Sequence, residues 1–106
     1  MADVIWTKRA AAELDAIVQH IATHSPRSAT RFREGAIWAV DRLAIFPLAG
    51  GIVEELRILD VREILFGSYR ILYQVRGDTC YIVFMIHGSR ELRLAFDPLR
   101  DLPGEW

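Results

Sequence analysis

The basic residues are the first chemistry visible in this chain. Twelve of the 13 are arginine, and Lys8 is the single lysine. A guanidinium pairs bidentately with carboxylate or phosphate and stacks on rings, which an ammonium does less well. Six arginines (Arg57, Arg62, Arg70, Arg76, Arg90, Arg93) fall between residues 57 and 93, against four acids, Asp60, Glu63, Asp78 and Glu91. From Asp97 to Trp106 the balance reverses, with Asp97, Asp101 and Glu105 against Arg100. The net charge of −1 hides this division. A nucleic-acid binder is usually strongly basic, so the total speaks against one. The distribution leaves two readings, solvated surface charge or a face that docks anions.

Other chemistries are excluded more firmly. No G-x-x-x-x-G-K-[ST] or G-x-G-x-x-G run occurs, so no phosphate-binding glycine loop is expected. His20 and His24 stand four apart on a helical pattern, which sets two imidazoles side by side. One cysteine and three histidines are too few for a zinc site, so no metal and no cofactor are expected. A Ser–His–Asp triad lacks its nucleophile elbow. Cys80 stands between apolar neighbours such as Ile82 and Phe84 and reads as a core thiol. As the single cysteine, it has no partner for an intrachain disulfide.

These residues need elements to position them. A length of 106 residues fits one domain, and 52% hydrophobic content is ample for its core. No apolar run approaches the roughly 20 residues of a membrane span, and the N-terminus lacks a signal pattern. A cytoplasmic protein is the expectation.

Asp3 to Trp6 reads as a strand and Thr7 as an N-cap. From Lys8 to His24, Ala10, Leu14, Ile17, Val18 and Ile21 keep helical spacing. Ser25-Pro26 stops that helix and opens a second, from about Arg27 to Ile45. Ala29, Phe32, Ala36, Val40 and Leu43 form its stripe, and Ile37 and Trp38 widen it. Phe46-Pro47 and Gly50-Gly51 end this helical hairpin.

Strand patterns follow. Ile52–Arg57, Val61–Phe66, Tyr69–Arg76 and Cys80–His87 are the candidates, with turns at Gly67-Ser68 and Arg76-Gly77-Asp78-Thr79. Pro98 and Pro103 predict an irregular tail over 97–106. The expected fold is α+β, one domain over 1–96, with the N-terminal helical hairpin on one face of a small antiparallel sheet. The other face needs solvent or a partner.

At the strands the chain resembles the ParE/RelE toxin superfamily. Val61-Arg62-Glu63-Ile64, Tyr69-Arg70-Ile71-Leu72-Tyr73-Gln74-Val75 and Ile86-His87-Gly88-Ser89-Arg90-Glu91 carry the resemblance. Trp6 to Ile21, Ser25-Pro26-Arg27-Ser28-Ala29 and Leu43-Ala44-Ile45-Phe46-Pro47 extend it to nearly the whole chain. It implies a bacterial type II toxin of the plasmid-stabilisation kind, neutralised by a cognate antitoxin that wraps it. ParE-like members inhibit DNA gyrase by binding. RelE-like members cut mRNA on the ribosome. Homodimers or toxin–antitoxin hetero-oligomers are the implied assemblies.

Ribonuclease chemistry needs a base for the ribose 2′-OH, cations for the phosphorane and an acid for the leaving oxygen. By the resemblance, Arg70 and Arg90 match the two arginines of RelE-like enzymes. Their lysines are missing from Val61 to Phe66, and Phe96 stands where their tyrosine would fall. A second nuclease style in the superfamily uses a glutamate and a histidine, which nominates Glu63 and His87. Against that, Glu63 can pair across strands with Arg70 or Arg62. Arg62, Arg70 and Arg90 either meet phosphate or acidic partner groups, or pair with Glu63, Asp60 and Glu91 to organise the sheet. Trp38 is an interface anchor or the edge of a wide apolar stripe.

The departures favour a ParE-like toxin that binds gyrase over an enzyme. A ribosome-dependent mRNA endoribonuclease and a non-toxic binding protein of the same fold are the alternatives.

Overall fold

The computed structural model describes residues 1–104; Glu105 and Trp106, which belong to the acidic tail, lie outside the described residues. Strand β1 (Asp3–Trp6) leads into helix α1 (Lys8–Ala22), and α2 (Pro26–Asp41) returns against it. Both helix starts follow from their capping residues. The Thr7 hydroxyl accepts from the Ala10 N–H at 3.2 Å and the Ser25 hydroxyl from the Ser28 N–H at 3.1 Å. Pro26 occupies the first turn of α2 and keeps Ser25 extended, so α1 ends before His24. A 3-10 turn, Arg42–Ala44, completes the span expected for the second helix.

Strands β2 (Gly51–Ile52), β3 (Val61–Phe66), β4 (Tyr69–Arg76) and β5 (Thr79–His87) follow. They form one five-stranded sheet in the order β1-β5-β4-β3-β2. The pairs from β2 to β5 are antiparallel. The outer strand β1 runs parallel to β5, with Val4 opposite Cys80, so the sheet is mixed. The expected α+β hairpin-on-sheet architecture is present. Gly67 and Gly77, with φ of +56° and +57°, close the tight turns of the β3–β4 and β4–β5 hairpins.

One expected strand is absent. Only Gly51–Ile52 pairs; Glu54–Leu59 winds into 3-10 turns and ends at Asp60, whose φ is +53°. The cause is polar. Glu54 holds Arg57 at 2.6 Å, and Glu55 reaches Arg70 at 3.0 Å, which bends the segment over the sheet.

The sheet is buried on both faces. Ala10, Leu14, Ala36, Val40 and Leu43 of the helical half pack on Ile71, Tyr73, Cys80, Ile82 and Met85. The second face gathers Val61, Leu72, Val83, Phe84 and Ile86 under Val53, Leu92 and Phe96. A bulge at Val83 makes this possible. The register places Leu72 opposite Phe84 but Tyr73 opposite Ile82, so Val83 and Phe84 both serve the second core.

The chain itself covers that second face, where solvent or a partner was expected. Helix α3 (Leu92–Ala95) forms ahead of the tail, and α4 (Pro98–Asp101) replaces part of the irregular stretch expected over 97–106. Phe96 stacks edge-on to Phe84 with centroids 5.2 Å apart. The Asp101 carboxylate is fully buried against Arg100 at 2.7 Å and the Asp97 N–H at 2.8 Å. Cys80 is a core thiol, wholly buried with its Sγ 3.8 Å from the Leu43 carbonyl.

Candidate functional site

Arg70 lies on the second face, near the turn end of β4. Its Nε and Nη2 donate to the two Glu63 carboxylate oxygens, each at 2.8 Å. Its Nη1 and Nη2 also reach Glu55, at 3.0 and 3.2 Å. Glu63 sits diagonally from Arg70, because Leu65 is the direct partner of Arg70 and Leu72 that of Glu63. Two carboxylates therefore take four of the five N–H donors of one guanidinium. The Glu63 and Glu55 bonds drive the Arg70 pKa further up, and the Arg70 bonds hold Glu55 below the usual carboxylate range.

Arg62 turns the other way. Its Nη1 donates to the Gly50 carbonyl at 2.9 Å and fastens the loop after α2 to β3. In the same loop the Tyr73 hydroxyl donates to the Pro47 carbonyl at 2.8 Å and accepts from the Gly50 N–H at 2.9 Å.

Glu63 and His87 do not meet. In register, Phe66 lies opposite Tyr69, and Tyr69 opposite His87, so these three share the helix-side face. Glu63 is three residues from Phe66 and points to the opposite face. His87 is exposed and its ring meets Tyr69 edge-on at 5.2 Å. Its Nδ1 accepts from the Ser89 N–H at 3.1 Å and lies 2.7 Å from the Ser89 hydroxyl. Arg90 is exposed and, among the described residues, makes no ion pair.

Glu13 was not singled out by sequence. β1 ends opposite Ile82, so the outer edge of β5 beyond it has no strand beside it. The Glu13 carboxylate fills that role, accepting from the Met85 N–H at 3.0 Å. Burial raises the Glu13 pKa, against the lowering from Met85 and Arg9. The available signal was an acid flanking the α1 stripe of Ala10, Leu14 and Ile17.

Trp38 is 66% exposed, with the Arg42 guanidinium over its ring at 5.3 Å. Ile45, Phe46 and Leu48 are exposed nearby in sequence, and Arg42, Ile45, Phe46, Leu48 and Ala49 line one open groove. His20 and His24 approach with ring centroids 5.8 Å apart. No group of three or more metal-ligating residues occurs among the described residues. No helix among them is long and apolar enough to cross a membrane.

The fold and these surfaces define a small α+β protein with an arginine-tied sheet and an apolar end to its hairpin. The family described as ParE toxin of type II toxin-antitoxin system, parDE, matches residues 4–92. The chain belongs to this family. It is 36% identical to Toxin RelE2 of Caulobacter vibrioides over 91 residues, covering 85% of this chain and 99% of that protein. A solved structure titled as a chromosomal ParDE TA system from P. aeruginosa superposes with a TM-score of 0.71 at 24% identity. That match covers 82% of this chain and 96% of the other, and it shows the shared fold. The protein is thus a type II toxin of the ParE/RelE family, and the family implies a cognate antitoxin partner.

Proposed function

We propose that this toxin acts by binding, with DNA gyrase as its target, until the antitoxin neutralises it in the cytoplasm. The observation that carries the reading is the double carboxylate clamp on Arg70. A guanidinium holding Glu55 and Glu63 has four of its five N–H donors committed and its charge matched by two carboxylates, which leaves it poorly disposed to a scissile phosphate. Three further observations support it. Glu63 and His87 face opposite ways, so they do not flank one bond. Phe96 is buried against Phe84 and carries no proton to give. β3 holds no lysine. The groove beside Trp38 offers the kind of apolar, arginine-bearing surface on which protein partners dock.

The second reading, ribosome-dependent mRNA cleavage, draws on the name of the Caulobacter relative. Induction of the toxin without antitoxin separates the two. Gyrase inhibition gives double-strand breaks, filamentation and an SOS response with mRNA intact, and purified toxin blocks supercoiling. Rapid A-site cleavage of mRNA with normal supercoiling would overturn the proposal. Growth unaffected by the induced protein would instead support a non-toxic binding protein.

A further inference from the structure

A depression of about 310 Å³ opens between α1 and the C-terminal end of β5, on the side away from the Arg70 clamp. Glu13, Ile17, Tyr69, Met85, His87 and Arg90 line it. Ile17 and Met85 give it apolar walls, and its rim holds two donors that bind nothing among the described residues.

The first donor is His87. The Ser89 N–H can only donate, so Nδ1 accepts there, and the neutral ring carries its proton on Nε2. Tyr69 packs against the ring and steadies it. The Nε2–H has no partner among the described residues. The second donor is the Arg90 guanidinium, which makes no ion pair among the described residues. The Arg90 N–H bonds to the His87 carbonyl at 3.0 Å, and this tight turn sets both side chains at the rim of one depression.

Two donors at the rim of an apolar pocket fit an oxyanion attached to an apolar group. Glu13 decides between the available polymers. Its carboxylate lines the same depression, tied to the Met85 N–H and paired with Arg9 at 3.5 Å, so a phosphodiester chain, charged at every step, would find Arg90 as the one lining arginine to receive it. A single carboxylate next to an apolar side chain suits the site better.

We infer that this depression is the docking site for an acidic peptide segment of the antitoxin, its carboxylate held by Arg90 and His87. The apolar neighbour of that carboxylate packs on Met85 and Ile17. This inference rests on the toxin–antitoxin reading and adds the place and chemistry of the contact. Since Glu55 and Glu63 occupy Arg70, Arg90 is the arginine of the pair left for a partner.

The test uses the toxin and the antitoxin encoded beside it. Binding is measured for the wild type, Arg90→Ala, Arg90→Glu and His87→Ala, with exposed Arg27→Glu as the control. Circular dichroism and thermal melts confirm that each variant is folded. We expect Arg90→Ala to raise Kd at least tenfold and Arg90→Glu at least a hundredfold, with Arg27→Glu unchanged. A lysine replacing one antitoxin carboxylate should rescue Arg90→Glu. Amides of residues 85–90 should gain hydrogen-exchange protection in the complex. Unchanged Kd for both Arg90 variants, with those amides unprotected, would overturn the site and leave the toxin–antitoxin reading intact. An antitoxin that does not bind wild-type toxin would instead overturn the reading beneath it. A single-stranded RNA oligonucleotide that binds wild type, but not Arg90→Ala, while antitoxin affinity stays the same, would assign the pocket to phosphate and reject the inference.

Discussion

Arg70 and Glu63 face each other across β4 and β3 through two parallel hydrogen bonds of 2.8 Å, and Glu55 closes the same guanidinium from above. The side chains are 16%, 18% and 27% exposed, so the cluster is partly shielded from water. Replacing Arg70 with Ala leaves two adjacent carboxylates without a counter-charge. Expected is a loss of about 1–3 kcal/mol, read by urea denaturation. Arg70→Lys should recover only part of it, because an ammonium does not reproduce the two-sided fork. Glu55→Gln in the Arg70→Ala background should relieve some repulsion and restore stability. A stability unchanged by Arg70→Ala would show the clamp to be ornamental.

The carboxylates give stability a pH dependence of two signs. Bonding to Arg70 lowers the Glu55 pKa in the fold. That contribution is present above the usual carboxylate range and is lost as pH falls through the folded value. Asp101 behaves alike. Burial alone would raise it, but bonds from Arg100 and the Asp97 N–H, together with the charges of Arg9 and Arg100, bring it down. Glu13 runs opposite, since burial raises its pKa. Its folded form binds protons more readily than the unfolded chain, so its contribution weakens as pH rises through the folded value. Glu13→Gln keeps an oxygen for the Met85 N–H and removes that penalty. The variant should therefore be more stable than wild type at pH 7, with the advantage shrinking toward pH 4. Denaturant midpoints at both pH values check this; an advantage that grows on acidification contradicts the assignment.

The loop after α2 depends on Gly50 and Tyr73. A Cβ on Gly50 would lie 2.6 Å from the Glu63 carbonyl oxygen and 2.7 Å from the Tyr73 hydroxyl. The backbone carbonyl has no room to yield, so Gly50→Ala should cost about 2 kcal/mol or more. Tyr73→Phe should cost about 1–3 kcal/mol, since it leaves the Gly50 N–H and the Pro47 carbonyl without their buried partner. Thermal melts of both variants test this, and a wild-type Tm for Gly50→Ala would refute the packing argument.

Local signals made much of this fold legible. The alternation of Tyr69–Arg76, the glycine turns and the Thr7 and Ser25 caps each act within a few residues, and they set four strands and both helices. What escaped was long-range. Nothing near Val4 in the chain shows that it pairs parallel with Cys80. Ile52 to Arg57 carries strand-like residues, yet Glu55 answers to Arg70, 15 residues on. Among the site residues, Arg70 and Glu63 were legible as a pair because cross-strand neighbours follow from register. Glu13 was not, since its partner is the Met85 backbone, 72 residues away.

Phe96 marks a second consequence of that long-range packing. It is 6% exposed and meets the Phe84 ring edge-on. Phe96→Ala should cost about 3–5 kcal/mol, and a Tm fall well above 10 °C is expected for a domain of this size. Phe96→Tyr would bring a hydroxyl into the second core and should cost stability without creating mRNA cleavage. Appearance of A-site cleavage in that variant would show that the missing tyrosine was all that separated this chain from a nuclease.

Trp38 should behave in the opposite way to Phe96. Its ring is two-thirds exposed and touches Arg42 from one side, so its removal opens no cavity. Trp38→Ala should change stability by no more than about 0.5 kcal/mol. Arg42, which lies over the Trp38 ring, also lines the groove of exposed Phe46 and Leu48, and this is the surface the proposed function assigns to a partner. Under the gyrase reading, Trp38→Ala should raise the concentration needed to block supercoiling by at least tenfold, while growth arrest on induction weakens in step. Pairing it with Phe46→Ala should deepen the loss, because both flank the surface that Arg42 shares. Undiminished inhibition by the folded double variant would place the gyrase contact elsewhere on the hairpin or sheet.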